Sequence, residues 1–83
     1  MELELGEYGT LQGVTIKNRV TITMSPYSSV IGCRFERGVV LKTTKTPGRI
    51  PLFWQNYIIG HLTCKKTRVQ IRENVLKRGS IRG

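Results

Sequence analysis

The sequence is poor in acidic residues and in the side chains that build catalytic and metal sites. Its 83 residues include five Asp and Glu residues against fourteen Lys and Arg residues, with one histidine and two cysteines. His61 has no acid near it in sequence, and no glycine-rich motif of the P-loop or dinucleotide type occurs, so the sequence predicts no enzyme. Cys33 and Cys64 lack a C-x-x-C neighbour, which favours buried free thiols over a zinc site. We therefore expect no catalytic residue, no metal site and no cofactor.

Long apolar runs are also missing. No stretch reaches the ~18 residues of a membrane-spanning helix, and no segment near the start resembles a signal peptide. The acidic start argues against an Arg-rich transit peptide, and no membrane partner is expected. A chain of 83 residues makes one domain that buries about 60–65% of its unfolded surface. High stability would therefore indicate a contribution from a partner.

Positive charge is the dominant feature of the composition. The formal net charge is +9, and three of the acids, Glu2, Glu4 and Glu7, precede the first cation, Lys17. Such an excess repels itself and predicts a polyanionic partner, with nucleic acid favoured over anionic lipid. The candidate RNA-binding residues are the cations of the central turns and of the C-terminal part, namely Arg37, Lys45, Arg49, Lys65, Lys66, Arg68, Arg72, Lys77, Arg78 and Arg82.

Alternating apolar residues indicate short β-strands. Residues 2–13 are polar and contain three glycines, so we expect an extended arm with at most a short strand at residues 3–5. From Val14 to Met24 the even positions are apolar, which allows one long curved strand or a hairpin with a three-residue loop at 17–19. The single strand is favoured because Arg19 suits a left-handed loop position poorly.

Three later segments of the chain have the sequence patterns of turns. Residues 31–35 and 39–43 alternate in the same phase across Glu36-Arg37-Gly38, which predicts a hairpin whose three-residue loop ends on Gly38 at positive φ. Residues 46–49 carry Pro and Gly at the central positions of a type II turn, which would hold Arg49 on a rigid tip. A second hairpin is expected between residues 62–64 and 69–71, with residues 65–68 as its loop.

The stretch from residue 50 to residue 64 is the best candidate for the core. It holds the only tryptophan and the longest apolar run, so we expect Trp54 or Phe53 to be buried against Ile16, Ile22 and Leu41. Its aromatic and β-branched content favours strand. A short helix over residues 51–59 is the alternative, because Pro suits a first helical position and Gly60 would end it.

These elements predict an all-β fold: a small OB-like, alternatively SH3-like, barrel of four to five strands, since closure removes exposed sheet edges. The expected organisation is an extended N-terminal arm at 1–13, the barrel at 14–73 and a basic C-terminal segment at 74–83. No internal repeat is expected. Tyr8 and Tyr27 lie in predicted loops, where bases could stack on them.

Several motifs in order resemble the RNA-binding half of large-subunit ribosomal protein two. An R-G-V-V segment begins at Arg37, nine residues run from Val39 to Pro47, and G-R at residues 48–49 and P-L at residues 51–52 follow. Further on, Gly60, the Lys65-Lys66 pair and the N-V-L-x-x-G-S-I stretch from residue 74 match the same family. Thr46 stands where that family usually has Asp, and the chain ends where the family continues into an SH3-like domain.

This resemblance implies an OB-like domain that docks on large-subunit rRNA through backbone phosphates. It implies neighbouring ribosomal proteins as partners, among them a separate polypeptide that supplies the missing C-terminal domain. The implied location is the ribosome, in the mitochondrial matrix or otherwise in the cytoplasm. Two alternatives stay open: a free single-stranded nucleic-acid-binding protein, and a small non-catalytic adaptor that binds an acidic protein.

Overall fold

A computed structural model describes residues 1–65 and 67–83 of the chain. This part of the chain forms short β-strands and contains no helix. In chain order the strands are β1 (Glu2–Leu5), β2 (Thr10–Gln12), β3 (Thr15–Ile16), β4 (Val20–Met24), β5 (Ser29–Ile31), β6 (Arg34–Phe35), β7 (Val39–Thr43), β8 (Leu52–Trp54), β9 (Tyr57–Ile59), β10 (Leu62–Cys64), β11 (Gln70–Arg72), β12 (Val75–Lys77) and β13 (Ile81–Arg82).

Each strand from β1 to β10 pairs in parallel with the strand three places further along the chain. The result is a β-solenoid of about four turns with three sides. The first sheet contains β1, β4, β7, β10 and β13, the second contains β2, β5, β8 and β11, and the third contains β3, β6, β9 and β12. Each turn contacts only the turns above and below it, which is the general rule for solenoids.

The register reveals an internal repeat. Val20 pairs with Val39, so the second turn is 19 residues long, whereas Val39 pairs with Leu62, so the third is 23 residues long. The four additional residues lie between β7 and β8. Leu52 pairs with Gln70, a step of 18 residues. The prediction of no internal repeat is therefore wrong, and the unequal turn lengths explain why the period is hard to see in the sequence.

The core is a column of apolar side chains enclosed by the three sheets. Val20, Ile22 and Met24 of β4 all point inward and are buried. Phe35 of the third sheet and Phe53 of the second are fully buried, and their rings stack with centroids 5.8 Å apart. Phe53 belongs to the same buried cluster as Ile16, Ile22 and Leu41, which confirms the predicted aromatic core for Phe53.

The predicted OB-like or SH3-like barrel is wrong. Alternation decides which side chains point inward, and an antiparallel barrel and a parallel solenoid have the same alternation. Residues 1–13, expected as an extended arm, contain β1 and β2 of the first turn, and residues 14–73, expected as the barrel, run through the following turns. The C-terminal residues 74–83 contain β12 and β13, the last strands of the third and first sheets.

The predicted hairpins are wrong for the same reason. Residues 36–38 join β6 in the third sheet to β7 in the first, and residues 17–19 likewise join β3 to β4. Residues 14–24 are therefore neither one strand nor a hairpin, and residues 62–64 and 69–71 do not pair with each other. The positive φ predicted for Gly38 is confirmed at 84°. Gly48 has φ 150°, far from the value near +80° that the predicted type II turn requires.

The strand reading of residues 50–59 is confirmed and the helix alternative is wrong. β8 and β9 divide this stretch at Gln55 and Asn56, which form a corner between the second and third sheets. Adjacent residues of a strand point to opposite sides. Phe53 therefore faces the core, while Trp54 lies on the outer face of the second sheet and is only partly buried.

The three kinds of corner differ in how strictly they repeat. The first corner, between the first and second sheets, spans residues 6–9, 25–28 and 44–51 in the first three turns. The second corner, between the second and third sheets, has two residues in every turn: 13–14, 32–33, 55–56 and 73–74. The third corner, between the third and first sheets, spans residues 17–19, 36–38, 60–61 and 78–80.

Candidate functional site

The second corner is a repeated structural element. Its first residue has a left-handed backbone in every turn, with φ between 51° and 68° at Gly13, Gly32, Gln55 and Glu73. This conformation costs a residue other than glycine about 1–2 kcal/mol. Gln55 and Glu73 adopt this left-handed backbone although neither is glycine. We therefore infer that the stacking of the turns imposes the conformation at these two positions.

Two asparagines follow these left-handed residues and connect successive turns. The Asn56 Oδ1 atom accepts a hydrogen bond from the Cys33 backbone N–H at 2.9 Å, and Asn56 Nδ2 donates to Asn74 Oδ1 at 3.1 Å. Asn74 Nδ2 donates in turn to the Phe53 carbonyl oxygen at 2.9 Å. Asn56 is buried, so these bonds satisfy polar atoms that water cannot reach. The asparagines of this corner therefore hold successive turns in register.

The first corner is built differently and carries exposed aromatic side chains. Tyr8 and Tyr27 occupy equivalent positions in successive turns and have φ values of 62° and 66°. Their rings stack with centroids 4.7 Å apart and an interplanar angle of 12°. Tyr8 is 71% exposed and Tyr27 is 44% exposed. The stack therefore forms a flat apolar surface that is open to solvent.

In the third turn, the additional residues extend the first corner into a loop beside the tyrosine stack. The Tyr27 backbone N–H donates to the Arg49 carbonyl oxygen at 3.1 Å, which fixes the loop to the stack. A Cβ atom on Gly48 would lie 2.6 Å from the Pro26 Cβ atom, so only glycine permits this approach. The loop thus carries Arg49 to the edge of the second sheet.

The outer face of the second sheet completes a groove. Trp54 and Arg72 are partners in the register of β8 and β11. Trp54 Nε1 donates to the Glu73 carboxylate at 2.7 Å, which holds the indole in place. The open groove has a volume of about 490 Å³, and its lining includes Tyr8, Tyr27, Arg49, Trp54, Arg72 and Glu73. We refer to it as the aromatic groove.

A second hollow lies on the other side of the loop. It has a volume of about 300 Å³, and Lys45, Arg49 and Arg68 are among its lining residues. Arg49 lines the hollow and the aromatic groove alike. Four of the cations predicted from the sequence therefore come together around one loop, at residues 45, 49, 68 and 72.

The other predicted cations lie elsewhere. Arg37 and Arg82 line a cleft at the third corner, together with Arg19. Lys77 ends β12 in the third sheet, and Arg78 follows it in the third corner. Lys65 comes directly after β10 and is exposed, and Lys66 falls outside the described residues. The predicted set is thus divided among different faces of the molecule.

Sequence reasoning assigned Trp54 to the core or to its immediate neighbourhood and did not place it in a ligand site. The signal that could have identified it is alternation, because Phe53 and Trp54 are adjacent in a strand and cannot both point inward. Arg19 was also missed. Arg19 lies near Arg37 of the next turn and Arg82 of the last turn only because the turns stack, and the sequence alone does not show this proximity.

The described residues offer little that would support metal-dependent or thiol chemistry. Within residues 1–65 and 67–83, no three His, Cys, Asp or Glu side chains cluster as a metal site. Cys33 and Cys64 are free thiols, the first buried and the second partly buried. Burial raises the pKa of the Cys64 thiol above its usual value, so it stays protonated at neutral pH and is a weak nucleophile.

Within residues 1–65 and 67–83, no helix has the length and apolar character to cross a membrane.

The fold and the groove together define a parallel β-solenoid with a basic, aromatic-lined outer face. Comparisons with protein families, with curated proteins and with solved structures find no significant match to this chain. Its function must therefore be inferred from the chemistry of its own residues.

Proposed function

We propose that this protein binds single-stranded nucleic acid in the aromatic groove. The observation that carries the proposal is the close association of an exposed tyrosine stack, a fixed indole and two arginines along one open groove. Proteins that bind single strands combine these two features: aromatic side chains accept stacked bases, and a positively charged groove follows the backbone. Duplex ends or folded surfaces offer fewer unstacked bases to such rings.

The electrostatics of the groove favour a polyanion. Among the described residues, the ion pair between Arg34 and Glu36 is the one salt bridge, with Arg34 Nε 3.2 Å from the carboxylate. Arg49 and Arg72 therefore have no carboxylate partner in that part of the chain. Glu73 is the acid in the groove lining, and Trp54 Nε1 already donates to it. Phosphate groups are suitable partners for these two guanidinium groups.

Large-subunit rRNA is the competing ligand. That role comes from the resemblance described above, whose OB-like domain this chain does not form. Ribosomal binding, a companion polypeptide and a mitochondrial location therefore remain predictions of sequence motifs alone. The groove geometry favours a strand whose bases are unstacked, because folded RNA is recognised mainly by its shape and backbone.

The only tryptophan of the chain lies in the groove, so its fluorescence provides a direct assay. The purified chain would be titrated with a random single-stranded RNA of about 12 nucleotides, within the usual site size. A structured large-subunit rRNA fragment and polyglutamate would be titrated in parallel, each across a salt series. We expect the single strand to change the Trp54 emission with the highest affinity. The log–log salt slope should be roughly −0.7 per phosphate contact.

Matched variants test the two components of the site separately. Tyr8→Leu should lower affinity about 5- to 150-fold, since each stacked base contributes about 1–3 kcal/mol. Tyr57→Leu is the control, because Tyr57 lies in the third sheet beneath the Arg34 guanidinium, 5.0 Å from its ring centre. Arg72→Gln should flatten the salt slope by about 0.7, with Lys77→Gln as its control for a change of charge alone.

Three results would contradict the proposal. Tighter binding of the structured fragment would favour the ribosomal role, and tighter binding of polyglutamate would favour the adaptor. Equal losses for Tyr8→Leu and Tyr57→Leu would show that binding does not depend on the tyrosine stack of the groove.

A further inference from the structure

A second basic cleft lies at the third corner. It has a volume of about 190 Å³, and its lining includes Arg19, Arg37, Gly38, Gly60, His61 and Arg82. We call it the corner cleft. It shares no lining residue with the aromatic groove, and it lies between the third and first sheets, whereas the groove follows the second sheet. Any ligand of the corner cleft is therefore bound independently of the groove.

Glycines form the floor of the corner cleft. Gly38 and Gly60 have φ values of 84° and 114°, a region that glycine adopts without strain. A Cβ atom on Gly60 would lie 3.2 Å from the Gly38 nitrogen, and one on Gly79 would overlap the Gly60 carbonyl oxygen. The backbones of successive turns are therefore packed too closely for side chains. Gly38 is buried and Gly60 is partly buried, so the arginines lie around a floor made of backbone.

The charge of the corner cleft is not compensated. Arg19, Arg37 and Arg82 are all exposed, and the described residues that line the cleft include no acid. The acid next to Arg37 in sequence is Glu36, whose carboxylate is bound by Arg34 Nε at 3.2 Å. Three guanidinium groups at one small cleft repel one another, so an anion that binds among them relieves this repulsion.

His61 contributes a hydrogen bond donor. Its Nδ1 atom accepts a hydrogen bond from the Ser80 backbone N–H at 3.1 Å. A neutral imidazole that accepts at Nδ1 carries its proton on Nε2. The side chain is exposed and lines the cleft, so Nε2 is the donor that it can offer to a bound oxygen atom.

We infer that the corner cleft binds a phosphate group. The guanidinium group has a planar pair of donors that fits phosphate oxygens in a bidentate manner. The cleft is smaller than the roughly 300–1,000 Å³ of pockets that hold drug-sized ligands. A phosphate or pyrophosphate group therefore fits its size better than a whole nucleoside does. The site needs no aromatic surface, which distinguishes its chemistry from that of the aromatic groove.

Inorganic pyrophosphate is the probe for the experiment. It would be titrated into the isotope-labelled chain at constant ionic strength, and backbone amide and indole N–H signals would be followed by NMR. We expect saturable shifts at Gly38, Gly60 and His61, with a half-saturation concentration below that of any change at the Trp54 indole. Arg37→Gln should weaken this binding about tenfold, the usual effect of losing one charged hydrogen bond. Arg68→Gln, which removes a charge outside the cleft, should change it less than about twofold.

Arg37→Lys separates geometry from charge, because it keeps the cation and loses the planar fork. It should also weaken binding, and its amide spectrum shows whether the variant is folded. Equal weakening by Arg37→Gln and Arg68→Gln would overturn the inference in favour of general attraction by net charge. Pyrophosphate that produced no saturable shift at the cleft amides would also overturn it. Oligonucleotide binding in the aromatic groove is measured separately by Trp54 fluorescence, so the two proposals can fail independently.

Discussion

The first and second corners of this solenoid differ in how strictly they repeat and in which side chains they expose. The second corner has two residues in every turn, a left-handed backbone at the first of them and, in the last two turns, an asparagine ladder in which Asn56 is buried and Asn74 is half-buried. The first corner has four residues in the first two turns and eight in the third, and it carries the tyrosine stack and Arg49. The second corner holds successive turns in register through its asparagines, while the first corner carries exposed tyrosines.

The physical reason lies in what each corner encloses. Asn56 bonds to backbone atoms that are inaccessible to water, so its geometry must be satisfied within the protein. The loop at 44–51 projects over the surface, where water satisfies exposed backbone groups and a change of length is tolerated. The following predictions test this difference, beginning with the largest expected effect.

Asn56→Ala should reduce the free energy of unfolding by about 3 kcal/mol, because buried partners left without a hydrogen bond each cost roughly 1–3 kcal/mol. The Cys33 N–H and the Val30 carbonyl oxygen would lose their partner. Urea denaturation followed by circular dichroism measures the change. Gln55→Ala, at the exposed neighbouring position, is the control and should change stability by less than about 0.5 kcal/mol. Similar values for the two variants would show that the ladder does not stabilise the corner.

Gly38→Val should destabilise the protein by about 1–2 kcal/mol through the cost of a left-handed backbone. A Cβ atom at this position would also lie 3.0 Å from the His61 carbonyl oxygen. Gly6→Val is a matched control in the first corner, where a Cβ atom meets nothing within 4 Å. We expect that control to melt at about the wild-type temperature. If Gly6→Val proved equally damaging, the first corner would be as constrained as the third.

Deletion of residues 45–48 shortens the third-turn loop to the four residues found in the first two turns. Because loop length affects closure entropy only weakly, stability should change by less than about 1 kcal/mol. Affinity for single-stranded RNA should fall, since Lys45 is lost and Arg49 is displaced from the groove. Denaturation and Trp54 fluorescence on the same sample measure the two effects. A loss of cooperative unfolding with unchanged affinity would reverse the roles assigned to the two corners.

The interior of the molecule could largely be predicted from the sequence. Ile22 and Leu41 were expected in the core because apolar residues alternate around them, and either Phe53 or Trp54 was expected to join them; Ile22, Leu41 and Phe53 are buried. The positive φ of Gly38 was also predicted, although the hairpin from which it was inferred does not form. These features depend on local geometry. Successive side chains of a strand point to opposite faces, and a backbone with positive φ favours glycine.

Several residues of the aromatic groove were also predicted from the sequence. Tyr8 and Tyr27 were placed in exposed loops, and Arg49 and Arg72 were named as candidate RNA-binding residues. Their assembly was not predicted, because Tyr8 and Tyr27 meet only when residues 19 positions apart stack in adjacent turns. The excess of positive charge was visible, but its division between a groove and a corner cleft was not.

By itself, the sequence determined the β-strands, their inward faces and the basic character of the surface. Only the tertiary structure decided that the strands pair in parallel as a solenoid and that the corners differ in length and in exposed side chains. Alternation has the same period whichever strand lies alongside, so it cannot distinguish a hairpin partner from a strand one turn away. The choice of strand partner depends on which arrangement buries the whole column of apolar side chains. The free energy of that burial arises from all the turns together and cannot be assigned to one strand.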